Sequence, residues 1–284
     1  MLTRVISGVA AAAVLVLILF LPPVVLAAAV FAISCIALYE YARAMNRKGA
    51  RVNLWLSWIA AFSLAANAWI STIPDSEKSV LPKIVYELFD GPAPGILAFI
   101  AVVVLFYGAI FGNRKLKVED AAYTLLGVAY IPFLLSYTIM VRNMDRGFEY
   151  IWLVIIGASV TDIFAYFAGM LLGRRKILPV ISPKKTVGGF IGGAAGCTVI
   201  MTLYGAIYIN RVFAGQVEIY HFALLGLLCG VISQVSDWSA SAVKRAAGIK
   251  DFGRIIPGHG GILDRCDSYL FVAPLVYFYI RLFF

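Results

Sequence analysis

An all-α, polytopic integral membrane protein is the fold class this sequence predicts, and three observations predict it. Only 14% of the 284 residues are charged and 62% are hydrophobic, whereas a soluble domain carries about 25% charged residues. The apolar residues fall in long runs, and a helix that spans hydrocarbon needs roughly 20 of them. Finally, Lys and Arg are shared unequally between alternate loops, which is the charge signature of membrane topology.

Nine runs read as spans, at about 5–21, 24–42, 54–73, 94–112, 121–141, 150–172, 187–209, 219–243 and 263–283. Pro22-Pro23 separates the first two, as a tight hairpin or a break in one helix would. With Arg4 ahead of it and Ala27-Ala28-Ala29 behind, the first run imitates a secretion signal. The apolar core of such signals is about 7–15 residues long, and here a second run follows at once, so a retained helix is expected. The N-terminus and loops 43–53, 113–120, 173–186 and 244–262, with Arg265, carry 18 of the 24 basic residues. That bias places them in the cytoplasm, with the N-terminus inside and the C-terminus outside.

Two regions follow from where the ionisable groups lie. Residues 1–148 read as an N-terminal scaffold of five helices. Residues 149–284 read as a C-terminal catalytic region of four helices with cytoplasmic loops 173–186 and 244–262. Within the scaffold, Glu40 is expected to snorkel to the interface and pair with Arg43 one turn later. Cys35, Cys197, Cys229 and Cys266 show no paired spacing, so neither a disulfide framework nor a zinc site is expected. The net charge of +9 is mostly the positive-inside excess, and no nucleic-acid partner is inferred from it.

Asp162 sits near the middle of the sixth span, roughly 15 Å from its end, too deep to snorkel out. It shares one face with Tyr166, Gly169 and Gly173, and must meet a polar cavity, a cation or a bundle partner. Downstream, Ser182-Pro183 reads as a helix start with Ser as N-cap and Pro at the first helical position. Lys184, Lys185 and Thr186 then fall in the first turn, where cations oppose the helix dipole unless an anion is held there. Glycines 188, 189, 192, 193 and 196 make a small-residue face for close helix packing.

The densest chemistry lies at 241–268, with eight charged side chains, one histidine and five glycines. Asp237, Ser241 and Lys244 share a helical stripe with Arg245 beside it. A glycine-punctuated loop follows, carrying Lys250, Asp251, Arg254, His259, Gly260 and Gly261, and the last span opens with Asp264, Arg265 and Asp267. Three aspartates from two helix ends form the all-oxygen set that a hard cation such as Mg²⁺ prefers. The cations around them suit a metal-bound polyphosphate. Glycines beside His259 let backbone N–H groups approach phosphate oxygens. His221 is expected to be structural.

The run Ser241-x-x-Lys244-Arg245-x4-Lys250-Asp251-x5-Pro257-x-His259-Gly260-Gly261-x-x-Asp264-Arg265-x-Asp267 resembles the signature of phosphatidate cytidylyltransferases, also called CDP-diacylglycerol synthases. Ser182-Pro183-Lys184-Lys185-Thr186 and Asp162-x3-Tyr166 are similar to that family too, while the first five spans match it only in hydrophobic character. One position departs: the family's Gly-Asp-x-x-Glu-Ser is here Ser236-Asp237-Trp238-Ser239-Ala240-Ser241, without the second acid. The resemblance implies transfer of CMP from CTP to phosphatidic acid with Mg²⁺ as cofactor, a second cation being compatible. It implies that Asp237, Asp264 and Asp267 hold the metal, and that Lys244, Arg245, Lys250 and Arg265 bind CTP phosphates. Ser182, Lys184, Lys185 and Thr186 are expected to bind the lipid phosphate or nucleotide, with Asp162, Gly260 and Gly261 completing the substrate pocket. Ser241, Asp251 and His259 join the catalytic set. The expected partners are CTP, phosphatidic acid and the bilayer, with a homodimer as the protein partner considered. The expected place is a bacterial inner membrane with the site facing the cytoplasm.

Two other classes fit the residues less well. A transporter should show two related halves with interrupted helices in corresponding places, and no repeat is visible. A phosphatidyltransferase that consumes CDP-lipids should carry a DGxxAR-type run, and none occurs.

Overall fold

The protein's computed structural model describes residues 2–73, 82–91, 93–111, 117–212, 217–256 and 260–284. Every predicted span coincides with a helix over most of its described residues. The helices are α1 (Leu2–Phe20), α2 (Pro23–Arg47), α3 (Leu54–Ile70), the short α4 (Lys83–Phe89) and α5 (Ala93–Phe111). They continue with α6 (Val118–Asn143), α7 (Gly147–Leu172), α8 (Val187–Ile209), α9 (Ile219–Ala246) and α10 (Leu263–Phe283).

Among the described residues seven helices are long and apolar enough to cross a membrane, namely α2 and α5 to α10. The first and third expected spans are helical but shorter, with apolar stretches at Ser7–Phe20 and Leu54–Ile70. In α3 the cause is local. Asn53 caps it by accepting from the Leu56 amide at 3.1 Å, and the helix stops at Ile70. Its 17 residues reach only about 25 Å, short of the roughly 30 Å hydrocarbon core.

Two compact units divide the chain. The first comprises Met1–Asp145 with Ala246–Arg265, and the second Arg146–Arg245 with Cys266–Phe284. In the first, α2, α3 and α6 are tied by buried polar groups. The Tyr41 hydroxyl donates to the Tyr123 carbonyl at 3.1 Å, and Gly127 leaves room for the Tyr41 ring, which a Cβ there would meet at 2.7 Å. Asp120 starts α6 by accepting from the Lys117 amide at 2.8 Å, and from the Arg51 amide at 2.6 Å. Pro132 lies inside α6 within a wide turn over Ala129–Phe133, the usual accommodation for a residue without an N–H donor.

In the second unit the expected small-residue face is what brings α7 and α8 together. A Cβ at Gly192 would stand 2.1 Å from the Ala168 methyl, and one at Gly196 would overlap the Phe164 ring. Gly226 and Gly230 let α9 approach α8 in the same way. The Gln234 side-chain amide, almost fully buried, donates to the Phe190 carbonyl at 3.0 Å and the Gly230 carbonyl at 2.8 Å. No disulfide joins the four cysteines.

One expectation is corrected here. Ser182 does not start a helix: Lys176–Leu178 (β1) and Ser182–Thr186 (β2) form a two-stranded antiparallel ribbon, with Lys176 opposite Thr186 and Leu178 opposite Ser182. Pro183 is tolerated because the ribbon consists only of edges. The helix begins four residues later, at Val187, where the Thr186 hydroxyl accepts from the Gly189 amide at 3.2 Å. Lys184 and Lys185 therefore alternate along a strand and do not lie in the first turn of α8.

Candidate active site

Predicted site residues divide between the two units. In the second, four elements converge on one cation. β2 carries Lys185, and its ammonium lies 2.7 Å from Asp237 Oδ2 on α9. Burial acts to lower the Lys185 pKa. The bonded Asp237 carboxylate and, behind it, Asp162 and Asp267 together outweigh that and hold the ammonium above the usual lysine range. Asp162 on α7 accepts from the Ser268 hydroxyl at 3.1 Å. Asp267 on α10 is 8% exposed and accepts from the Ser268 amide at 2.9 Å, while its own carbonyl takes the Ser236 hydroxyl of α9. Lys185 thus faces carboxylates from three different helices.

The helical stripe expected on α9 is present, though only partly open. Ser241 and Lys244 are buried, while Arg245 is exposed and donates to the Ile181 carbonyl at 3.2 Å, joining α9 to the turn of the ribbon. Ala240, where the family pattern has an acid, is completely buried. An acid placed there would need a partner inside the packing. Ser182 and Thr186 are half-buried on β2, with Lys184 exposed. His221 stays away from this chemistry, with Nδ1 3.0 Å from the Tyr279 hydroxyl.

In the first unit the glycine-rich segment is held by two carboxylates. Asp264 Oδ2 accepts from the Phe252 amide at 2.8 Å and the Gly261 amide at 3.0 Å. Glu40, 2% exposed, binds backbone amides in place of the expected Arg43. Its Oε1 accepts from the Ile262 amide at 3.1 Å and its Oε2 from the Leu263 amide at 2.9 Å, the free donors at the start of α10. Both Gly253 and Gly261 press against this carboxylate, since a Cβ would stand 2.0 Å and 2.4 Å from its oxygens. Gly260, at φ +91°, lies against Asp264. At Gly253 and Gly261 the missing side chain is what leaves room for the Glu40 carboxylate. Lys250, Asp251 and Arg265 are exposed. His259, with Pro257 and Gly258, lies outside the described residues.

Sequence reasoning missed Glu40. Its partners are backbone amides 222 and 223 positions away, and amides leave no mark in a sequence. The one usable signal was an acid in an otherwise apolar helix.

Among the described residues no three His, Cys, Asp or Glu side chains are gathered as a ready metal cage. The donor chemistry nonetheless fits a hard cation: the acids around Lys185 offer oxygen alone, and a positive charge is already held among them.

Carboxylates and cations grouped at the ends of apolar helices are the equipment of a membrane enzyme, not of a purely structural span. Residues 2–283 match the model of the cytidylyltransferase family. The chain belongs to that family and is a nucleotidyltransferase. It is similar to the phosphatidate cytidylyltransferase of Bacillus subtilis strain 168, with 32% identity over 283 residues, 99% of this chain and 97% of that protein. It is also similar to the phosphatidate cytidylyltransferase of Staphylococcus saprophyticus, 37% identical over 180 residues, 63% of this chain and 66% of that protein. The likeness to the same enzyme of Staphylococcus aureus strain COL is 36% over 180 residues, with the same coverage of both chains.

Proposed function

We propose that this protein transfers the cytidylyl group of CTP to phosphatidic acid, releasing pyrophosphate and CDP-diacylglycerol for phospholipid biosynthesis. The likeness to a phosphatidate cytidylyltransferase over 99% of the chain carries this reading. A phosphate oxygen of the lipid forms a bond to the α-phosphorus of CTP, and the bond from that phosphorus to the bridging oxygen of pyrophosphate breaks. A phosphate monoester has a second pKa near 6, so the nucleophile is ionised at neutral pH without a strong protein base. What remains for the protein is positioning and charge neutralisation.

Asp237, Asp264 and Asp267 are the proposed ligands for Mg²⁺, which would neutralise charge on the polyphosphate. Lys244, Arg245, Lys250 and Arg265 bind CTP phosphates. Ser182, Lys184, Lys185 and Thr186 hold the lipid phosphate or the nucleotide, with Asp162, Gly260 and Gly261 completing the pocket. Thr186 also caps α8, and Lys185 orients Asp237. The chemistry lies in residues 149–284 and the scaffold in 1–148. An N-terminus and a site on the cytoplasmic side of a bacterial inner membrane are the reading that the Lys and Arg bias of alternate loops supports.

Purified protein supplied with CTP, phosphatidic acid and Mg²⁺ is expected to release pyrophosphate and CDP-lipid together. Equal rates with ATP and CTP would refute a cytidine-specific site. Full turnover by Asp264→Asn would remove Asp264 from the metal while leaving the reaction intact.

A further inference from the structure

The C-terminal end of α2 and the segment 249–254, both in the first unit, enclose a cavity of about 340 Å³. Its walls carry Arg43 and Arg47 from the helix, Lys250 and Arg254 from the segment, and a single carboxylate, Asp251. Among the described residues none of these four cations stands in an ion pair. The acid that the sequence offers to Arg43 is Glu40, and its carboxylate is spent on the Ile262 and Leu263 amides.

Cations beside a membrane helix are ordinarily topology charge on solvated loops. Here they stand on a fixed frame. Gly253 lines the cavity and lies so close to Glu40 that a Cβ would be 2.0 Å from Oε1. The neighbouring Phe252, 4% exposed, has its amide bound to Asp264. Like charges fixed around one space repel unless an anion enters it. Three of the four cations are guanidinium groups, those of Arg43, Arg47 and Arg254, the donors best shaped for phosphate oxygens.

We propose that this cavity is a phosphate-binding subsite in which Arg43 and Arg47 act with Lys250 and Arg254 on a substrate's phosphate groups. α2 then contributes to substrate binding although it lies in the half of the sequence read as scaffold. The proposal rests on the reading of the chain as an enzyme with two phosphate-bearing substrates, and it fixes the ligand's chemistry: either the triphosphate of CTP or the monoester of phosphatidic acid.

The test uses full-length protein in nanodiscs and the variants Arg43→Gln, Arg47→Gln and the double variant. Lys83→Gln, a lost cation that does not line the cavity, serves as control. Calorimetry with inorganic tripolyphosphate measures the subsite without turnover. Each arginine removed is expected to weaken binding about tenfold, the worth of one charge-assisted hydrogen bond, with the control unchanged. Steady-state kinetics then assigns the source. A KM raised for CTP alone identifies the triphosphate, and one raised for phosphatidic acid alone identifies the lipid phosphate. If the double variant binds tripolyphosphate as the wild type does, or the wild type does not bind it, the subsite is refuted. Weakened binding with both KM values unchanged refutes its use by substrate. Should the wild type make no CDP-lipid, the enzymatic reading falls, while the calorimetry still decides whether the cavity holds phosphate.

Discussion

Glu40 and Asp237 are both acids on long apolar helices, yet they are used in opposite ways. Glu40 is closed in and binds two backbone amides, donors that cannot leave. Asp237 is 19% exposed at its side chain and binds a lysine ammonium, a partner that another cation can displace. One carboxylate is tied to backbone and the other to a cationic side chain. An acid in a membrane helix therefore does not by itself mark chemistry; the nature of its partner decides what it does.

Substitutions that keep shape but remove charge should separate these uses, beginning with the largest effect. Asp237→Asn is expected to lower kcat by about 10²–10³, the scale of losing one preorganised electrostatic group, with an unchanged melting temperature. A stable variant that retains full kcat would place Asp237 with Glu40 among the structural acids. Glu40→Ala should do the reverse. Leaving two buried amides unsatisfied costs roughly 2–5 kcal/mol, read as a lower thermal midpoint, and Glu40→Gln should recover part of it because one carbonyl acceptor remains.

Next in size, Gly253→Ala should destabilise by about 1–3 kcal/mol, as overpacking does, and combining it with Glu40→Ala should give less than the sum of the two losses. Additive losses would show that the glycine and the carboxylate are not in the contact described. Smallest is Thr186→Ala, which removes the cap of α8 for about 1 kcal/mol, while Thr186→Ser should be nearly silent in the same melt.

The helices were legible because hydrophobicity is a property of each residue in turn. The small-residue face of α8 was also legible, since glycines at 188, 192 and 196 can be counted along it, although its partner α7 was not. The ribbon was not legible. Ser182-Pro183 satisfies the rules for a helix start, and pairing with Lys176–Leu178 depends on a turn whose register no local pattern states. Of the site, the aspartates and cations could be named from their spacing, and Lys185 with Asp237, Asp162 and Asp267 is the part the fold brings together. In the fold Gly253 and Gly261 act as clearance for the Glu40 carboxylate, a contact so remote in sequence that it leaves no periodic trace.

The clasp between Glu40 and the start of α10 has a consequence for biosynthesis. Its two halves are 222 residues apart, so the ribosome must finish nearly the whole chain before the clasp can close. Throughout that interval α2 carries an acid without its eventual donors, a costly tenant for a bilayer, and insertion of the last helix is what ends the wait. Chains truncated before Ile262 should accordingly be cleared by membrane proteases even though most of their helices have been made.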